Sequence, residues 1–207
     1  MPIIQHEYIN DALLGVWEIT EDENTLLSVL QPKKEDLKTL SKVAAQNTRI
    51  EKIAARALTK ELCTRLDYPY TCIYKNKHGK PMLECDLEIS ISHSTNYAAA
   101  IIAPQKVGID IQKYTDKIHK VKHRVFTDTE IEMIDDDDMM LIVLWGFKET
   151  LYKLYGNRKL TFKRDIIVQD IDFDNKTGTT SIGINGKHNT YQLKYEQIKD
   201  HILTYNI

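Results

Sequence analysis

The amino-acid sequence predicts an α+β protein built as two similar lobes. Three observations lead there. Strand-like and helical stretches follow in the order strand, helix, strand in each half of the chain. The length of 207 residues suits one large domain or two small ones. A composition of 42% hydrophobic and 28% charged residues is ordinary for a globular protein and sufficient for a core. Pro104–Lys106 is a plausible join, so the expected lobes are residues 1–103 and 104–207. Two similar lobes suggest a pseudo-twofold arrangement, with the active site in a cleft that draws residues from both.

The elements read as follows along the chain. The first thirty residues alternate weakly and read as strands, Ala12–Thr20 (ALLGVWEIT) being the most apolar part. Pro32–Leu66 is helical, with apolar residues three and four apart and Pro32 near the start. Its length suggests two helices, broken near Gln46–Thr48. Tyr70–Leu83 reads as strand, turn, strand, punctuated by Gly79 and Pro81. Leu87–Pro104 and Val107–Gln112 are strand-like, and Asp128–Ile134 begins a short helix. A strong helix runs from about Met139 and is closed by Gly156. The remainder reads as strands joined by turns at Asn175–Gly178 and Asn185–His188.

Composition narrows the function. A net charge of −2 argues against general nucleic-acid binding. The longest apolar runs, such as Tyr97–Ala103, are too short to span a bilayer, and the N-terminus lacks the pattern of a signal peptide. Three cysteines, Cys63, Cys72 and Cys85, form no C-x-x-C and suggest neither a disulfide framework nor a zinc site. A reducing cytoplasm is therefore expected. No Walker A loop, G-x-G-x-x-G or G-x-S-x-G elbow occurs.

Four short stretches carry possible chemistry. Trp145, Glu149 and Lys153 form a stripe at i, i+4, i+8, beside an apolar side of Leu144, Phe147, Leu151 and Leu154. Asp110 alternates to the face opposite Ile109 and Ile111. Ser92 and His93 offer donors suited to phosphate oxygens, and Gly79–Lys80–Pro81 makes a turn. Each alone has a plainer reading: a surface ion pair worth about 0.3–0.5 kcal/mol, a solvated strand end, a second strand end, a turn. Asp135–Asp138 looks like a metal cluster, but four successive carboxylates cannot face one ion; charge at a helix N-terminus is the better reading.

In order and spacing the four together resemble the 4′-phosphopantetheinyl transferase superfamily, and most its longer, two-lobed branch, the type that activates surfactin synthetase. The family's GKP turn, SHS segment, GIDIE strand and WxxKEAxxK helix correspond to Gly79–Pro81, Ser92–Ser94, Gly108–Gln112 and Trp145–Lys153. Phe126–Glu130 resembles the family's segment between the last two. The likeness covers roughly residues 45–170.

The resemblance implies an enzyme. It would transfer the 4′-phosphopantetheine arm of coenzyme A to a serine of an apo acyl or peptidyl carrier protein and release adenosine 3′,5′-bisphosphate. The alternative is a coenzyme A- or carrier-binding module without catalysis. Mg²⁺ is implied, with Mn²⁺ admissible. Asp110 and Glu149 match the metal ligands, and Glu149 also matches an acceptor for the serine proton. Lys153 matches a lysine on the pyrophosphate. Gln112 stands where many relatives carry a third acid, and would reach the metal through water. Arg49, Arg56, Gly79, Lys80, Pro81, Ser92 and His93 match coenzyme A contacts, Arg49 and Arg56 more loosely. Trp145 would shape the pocket, and Glu130 is a further acidic candidate. The two-lobed length implies a monomer. The carrier is expected to dock near Lys113–Arg124, where five basic residues face one acid in an otherwise slightly acidic chain.

Overall fold

The computed structural model describes residues 3–135, 137–157, 160–184 and 186–207. The architecture is α+β, and the chain divides into two compact units, Met1–Val107 and Gly108–Ile207. Among the described residues no helix is long and apolar enough to cross a membrane.

The first unit opens with the hairpin β1 (Ile3–Ile9) and β2 (Ala12–Glu18). Three helices follow: α1 (Glu23–Leu30), α2 (Lys34–Leu40) and α3 (Gln46–Arg65). Then come two-residue strands β3 (Tyr74–Lys75) and β4 (Pro81–Met82), and the longer β5 (Glu88–Ser94) and β6 (Tyr97–Ala103). β1, β2, β6 and β5 form an antiparallel sheet in that order. α3 lies on one face of it, with Leu58 and Leu62 fully buried among Leu13, Trp17, Ala100 and Ile102. Gly15 permits the approach: a Cβ there would meet Leu58 Cδ1 at 2.9 Å.

Three expectations for this unit are corrected. Residues 23–30 are helical rather than strand-like, because Asp22 caps the helix by accepting from the Thr25 backbone N–H at 2.8 Å. The break between helices falls before Gln46, not at Gln46–Thr48, so α3 keeps its full twenty residues. The strand, turn, strand reading of Tyr70–Leu83 shrinks to the short β3–β4 pair around the glycine turn.

The second unit begins with β7 (Ile109–Lys113), a 3₁₀ turn (Asp116–Ile118), α4 (Lys122–Val125) and α5 (Asp128–Met133). The long helix α6 (Asp138–Tyr155) ends at Gly156, whose φ of 65° is left-handed. After α7 (Phe162–Asp165) come β8 (Ile166–Asp172), β9 (Thr177–Ile184), β10 (Lys187–Ile198) and β11 (His201–Asn206). The sheet order is β7-β11-β10-β9-β8, all antiparallel. Phe147, Leu151, Ile166, Ile182 and Leu193 centre its core.

Each unit thus contains the same motif: a strand, a long helix, then a hairpin whose second strand pairs with the first strand. In unit one this is β2, α3, β5 and β6; in unit two it is β7, α6, β10 and β11.

The run Asp135–Asp138 starts α6. Asp137 is its N-cap, accepting from the Met140 N–H at 2.9 Å, and Asp138 sits in the first turn. Asp136 lies outside the described residues.

Candidate active site

The second unit carries the acidic part of the site, and close packing of α6 on β7 and β11 places it. Gly108, Asp110 and Gln112 alternate with Ile109 and Ile111, so the three turn to the same side of the strand. That side faces α6, since a Cβ on Gly108 would lie 2.2 Å from the Thr150 carbonyl oxygen. Gly146 meets the next strand in the same way: a Cβ there would come within 2.7 Å of Thr204 Cγ2. Thr204 pairs with Asp110 in the β7–β11 register. The Thr150 hydroxyl lies 2.7 Å from the Thr204 hydroxyl and donates to the Thr204 carbonyl at 3.1 Å. Thr150 is therefore a fully buried anchor of α6 on β11.

With the helix so placed, the Trp145–Glu149–Lys153 stripe borders Asp110. Lys153 Nζ donates to Asp110 Oδ1 at 2.7 Å and to the Ile109 carbonyl at 3.1 Å. Asp110 is nearly buried and Glu149 half-buried. Burial pushes the Glu149 carboxyl up to about 7; the Asp110 charge adds to this and Lys153 opposes it. Two mutually repelling carboxylates and one amine thus share the site. The pair suits a hard divalent cation such as Mg²⁺, which takes one or two protein carboxylates and completes its shell with water and substrate oxygens. Among the described residues no group of three or more His, Cys, Asp or Glu is positioned to hold a metal by itself.

Gln112 and Trp145 line a cavity of about 250 Å³ with Thr115, Lys117, Ile118, Val121 and Ile142. Trp145 also packs against Phe162, ring centroids 5.6 Å apart. Lys113–Arg124 is not an open loop but a 3₁₀ turn followed by α4. Part of its charge is matched, with Lys113 bridging Asp200 at 2.9 Å and His119 bridging Asp138 at 2.9 Å. Lys120 and Arg124 stand exposed.

Behind α6 lies an ion pair that reading the sequence did not single out. Lys148 is fully buried and meets Glu130 Oε1 at 2.7 Å, while also donating to the carbonyls of Phe162 and Ile166. Burial pulls the Lys148 amine down and Glu130 draws it back up. Glu130 is equally committed. It closes a capping box with Thr127 and accepts from the Val168 N–H at 2.8 Å. Glu130 thus ties α5, α6 and β8 together, which is a structural task rather than the extra site acid considered from the sequence.

The other candidates lie in the first unit. Gly79, at φ 89°, forms the turn with Asn76, whose side chain accepts from the N–H groups of His78 at 2.9 Å and Lys80 at 3.0 Å. Pro81 begins β4. Lys80 pairs with Glu88 at the start of β5, while Ser92 and His93 lie toward the other end of that strand. His93 Nδ1 is 3.0 Å from Glu51 Oε2 on α3. The arginines differ in setting. Arg49 bridges Glu23 at 2.7 Å in a half-exposed pair beside a cavity of about 220 Å³. Arg56, 4% exposed, bridges the fully buried Asp36 at 2.9 Å, and Tyr70 donates to the same carboxylate.

Comparison with known proteins finds matches to the second unit. A family model described as the 4′-phosphopantetheinyl transferase superfamily matches residues 106–206. The 4′-phosphopantetheinyl transferase gsp of Aneurinibacillus migulanus is 30% identical over 87 residues, which is 40% of this chain and 37% of that protein. The match therefore spans little more than a third of that relative's length. The matched residues 106–206 contain Asp110, Gln112, Glu149 and Lys153, and through this segment, just under half of its length, the chain is similar to the 4′-phosphopantetheinyl transferase superfamily.

Proposed function

We propose that the protein transfers the 4′-phosphopantetheine arm of coenzyme A to a serine of an apo carrier protein and releases adenosine 3′,5′-bisphosphate. The observation that carries the reading is the meeting of Asp110, Glu149 and Lys153 on facing elements of a unit that the superfamily model matches.

In this reading Asp110 and Glu149 hold a divalent ion, Mg²⁺ or Mn²⁺, with Gln112 contributing through water. The ion would offset the charge of the pyrophosphate and of the transition state. Glu149 would also accept the serine proton, directly or through a bound water. Lys153 sits one helical turn beyond it and supplies a cation for the leaving phosphate. Ser92, His93, Lys80 and the Gly79–Pro81 turn bind coenzyme A. Arg49 is better suited than Arg56 to meet a phosphate, because its pair with Glu23 is half-exposed and can exchange. A single chain in the cytoplasm is the working unit of this proposal.

Incubation with an apo carrier protein, coenzyme A and Mg²⁺ tests the reading. The carrier should gain the mass of one phosphopantetheine arm, and Asp110→Ala and Glu149→Ala should lose at least about a hundredfold in rate. Absence of any mass gain with acyl and peptidyl carriers alike overturns it. Lys120→Glu with Arg124→Glu tests the docking face: KM for carrier should rise and KM for coenzyme A should hold.

A further inference from the structure

The pair formed by His93 and Glu51 gives one residue a task that the motifs do not assign. His93 lies on β5, an edge strand, and faces the α3 side of the sheet with Ile89 and Ile91. α3 presents Glu51 to it, with Oε2 3.0 Å from Nδ1. Both side chains are partly accessible, at 28% for His93 and 17% for Glu51. β6 sets Ala98 opposite His93 and brings no charge there, and Lys80 of the loop before β4 is engaged with Glu88 at the far end of β5.

A carboxylate only accepts, so Nδ1 must be the donor in this contact. That has two effects on the ring. It selects the Nδ1–H tautomer in the neutral form, because the bond made by one ring nitrogen decides which carries the proton. It also favours the imidazolium, since an adjacent negative charge stabilises the charged form. The imidazolium has a second donor, Nε2–H, on the far side of the ring. An imidazole that is neutral and held through Nδ1–H offers only a lone pair there, which repels an anion.

We propose that Glu51 is a positioning residue for His93: it orients the ring through Nδ1 and keeps Nε2 protonated, so that the histidine donates to a phosphate of coenzyme A. The phosphate half of this assignment rests on the proposed transferase reading; the tautomer and charge half does not.

The test has two arms. Long-range ¹H–¹⁵N spectra of the wild-type chain across pH should show the Nδ1–H tautomer of His93 once it is neutral, and a titration midpoint at least one pH unit above that of Glu51→Gln. A dominant Nε2–H tautomer, or equal midpoints, overturns the proposal. Calorimetric titration with coenzyme A forms the second arm. Affinity should decline with rising pH in both proteins, but at least one pH unit earlier in Glu51→Gln, while His93→Ala should show neither the affinity nor that step. The ligand's own ionisation is common to all three and cancels in the comparison. Wild-type protein that binds no coenzyme A sinks the transferase reading and the phosphate role together. Binding by both proteins with the same pH profile sinks only the role given to Glu51.

Discussion

Lys153 Nζ lies 2.7 Å from Asp110 Oδ1, so a single amine ties the last turn of α6 to the strand that carries the aspartate. An ammonium at that distance opposes the entry of a divalent cation beside the same carboxylate. Removing it should therefore tighten cation binding even as it harms turnover. Lys153→Met is expected to bind Mn²⁺ about tenfold more tightly than wild type, as a 1.4 kcal/mol change in repulsion would give. Electron paramagnetic resonance of free Mn²⁺ reads this directly. Equal or weaker affinity would show that the amine and the cation do not compete.

Glu149 gives the stability of the protein a pH slope of defined sign. Its folded value is about 7 against an ordinary 4.5, raised by burial and by Asp110. The folded state therefore binds more protons than the unfolded state between those values. The favourable contribution is complete below about 4.5 and is lost as pH rises through about 7. Urea denaturation in EDTA should find wild type less stable at pH 7 than at pH 5 relative to Glu149→Gln, by on the order of 2 kcal/mol. A Glu149→Gln curve parallel to wild type would contradict the raised acid.

The Lys148–Glu130 pair should behave as a buried bridge. Lys148→Met leaves the Glu130 carboxylate uncompensated in the interior, a change that typically costs about 3–5 kcal/mol. Adding Glu130→Gln removes the stranded charge and should restore a large part of that loss. The check is the urea midpoint of each single variant and of the double variant. If the double variant is no more stable than Lys148→Met, the two side chains do not act as a pair.

Gly108→Ala should separate α6 from β7. The new methyl would fall 2.2 Å from a backbone oxygen, that of Thr150, so neither partner can yield by a simple side-chain rotation. Overpacking of this kind costs about 1–3 kcal/mol or more. The same displacement draws Lys153 away from Asp110, so transfer should fall at temperatures where the variant is still folded. Wild-type melting temperature and rate would refute the close contact.

Much of this was legible in the residues themselves. The α6 periodicity and its Gly156 stop were plain, as was the alternation that turns Asp110 away from Ile109 and Ile111. Their meeting across β7 and α6 was not, because it depends on Gly108 and Gly146, and a glycine by itself does not announce what it will lie against. Lys148 could have been found: it falls between Leu144 and Leu151 on the apolar side of the wheel, where a lone lysine requires a buried partner. The Thr127-x-x-Glu130 spacing was likewise a readable capping box. Helix α1 was missed because Leu26, Leu27, Val29 and Leu30 are as compatible with a strand as with a helix, and only the Asp22 cap distinguishes the two. The partners of Arg49, Arg56, Lys80 and His93 come from 8 to 42 residues away, and no local pattern encodes them.

The strand order of the second unit also sets when the site can exist. β7 finds its hydrogen-bonding neighbour in β11, with Asp110 opposite Thr204. On the ribosome β7 is made early and its neighbour about ninety residues later, a delay of seconds at ordinary elongation rates of about 5–20 residues per second. Thr204 is also the anchor for Thr150, so the hold of α6 on β11 waits until then. Until then the nascent chain carries Asp110, Glu149 and Lys153 on a strand and a helix that lack their common neighbour. Their full setting arises only with one of the last pairings of the sheet, a timing that leaves the acidic pair unfinished until the scaffold around it is nearly complete.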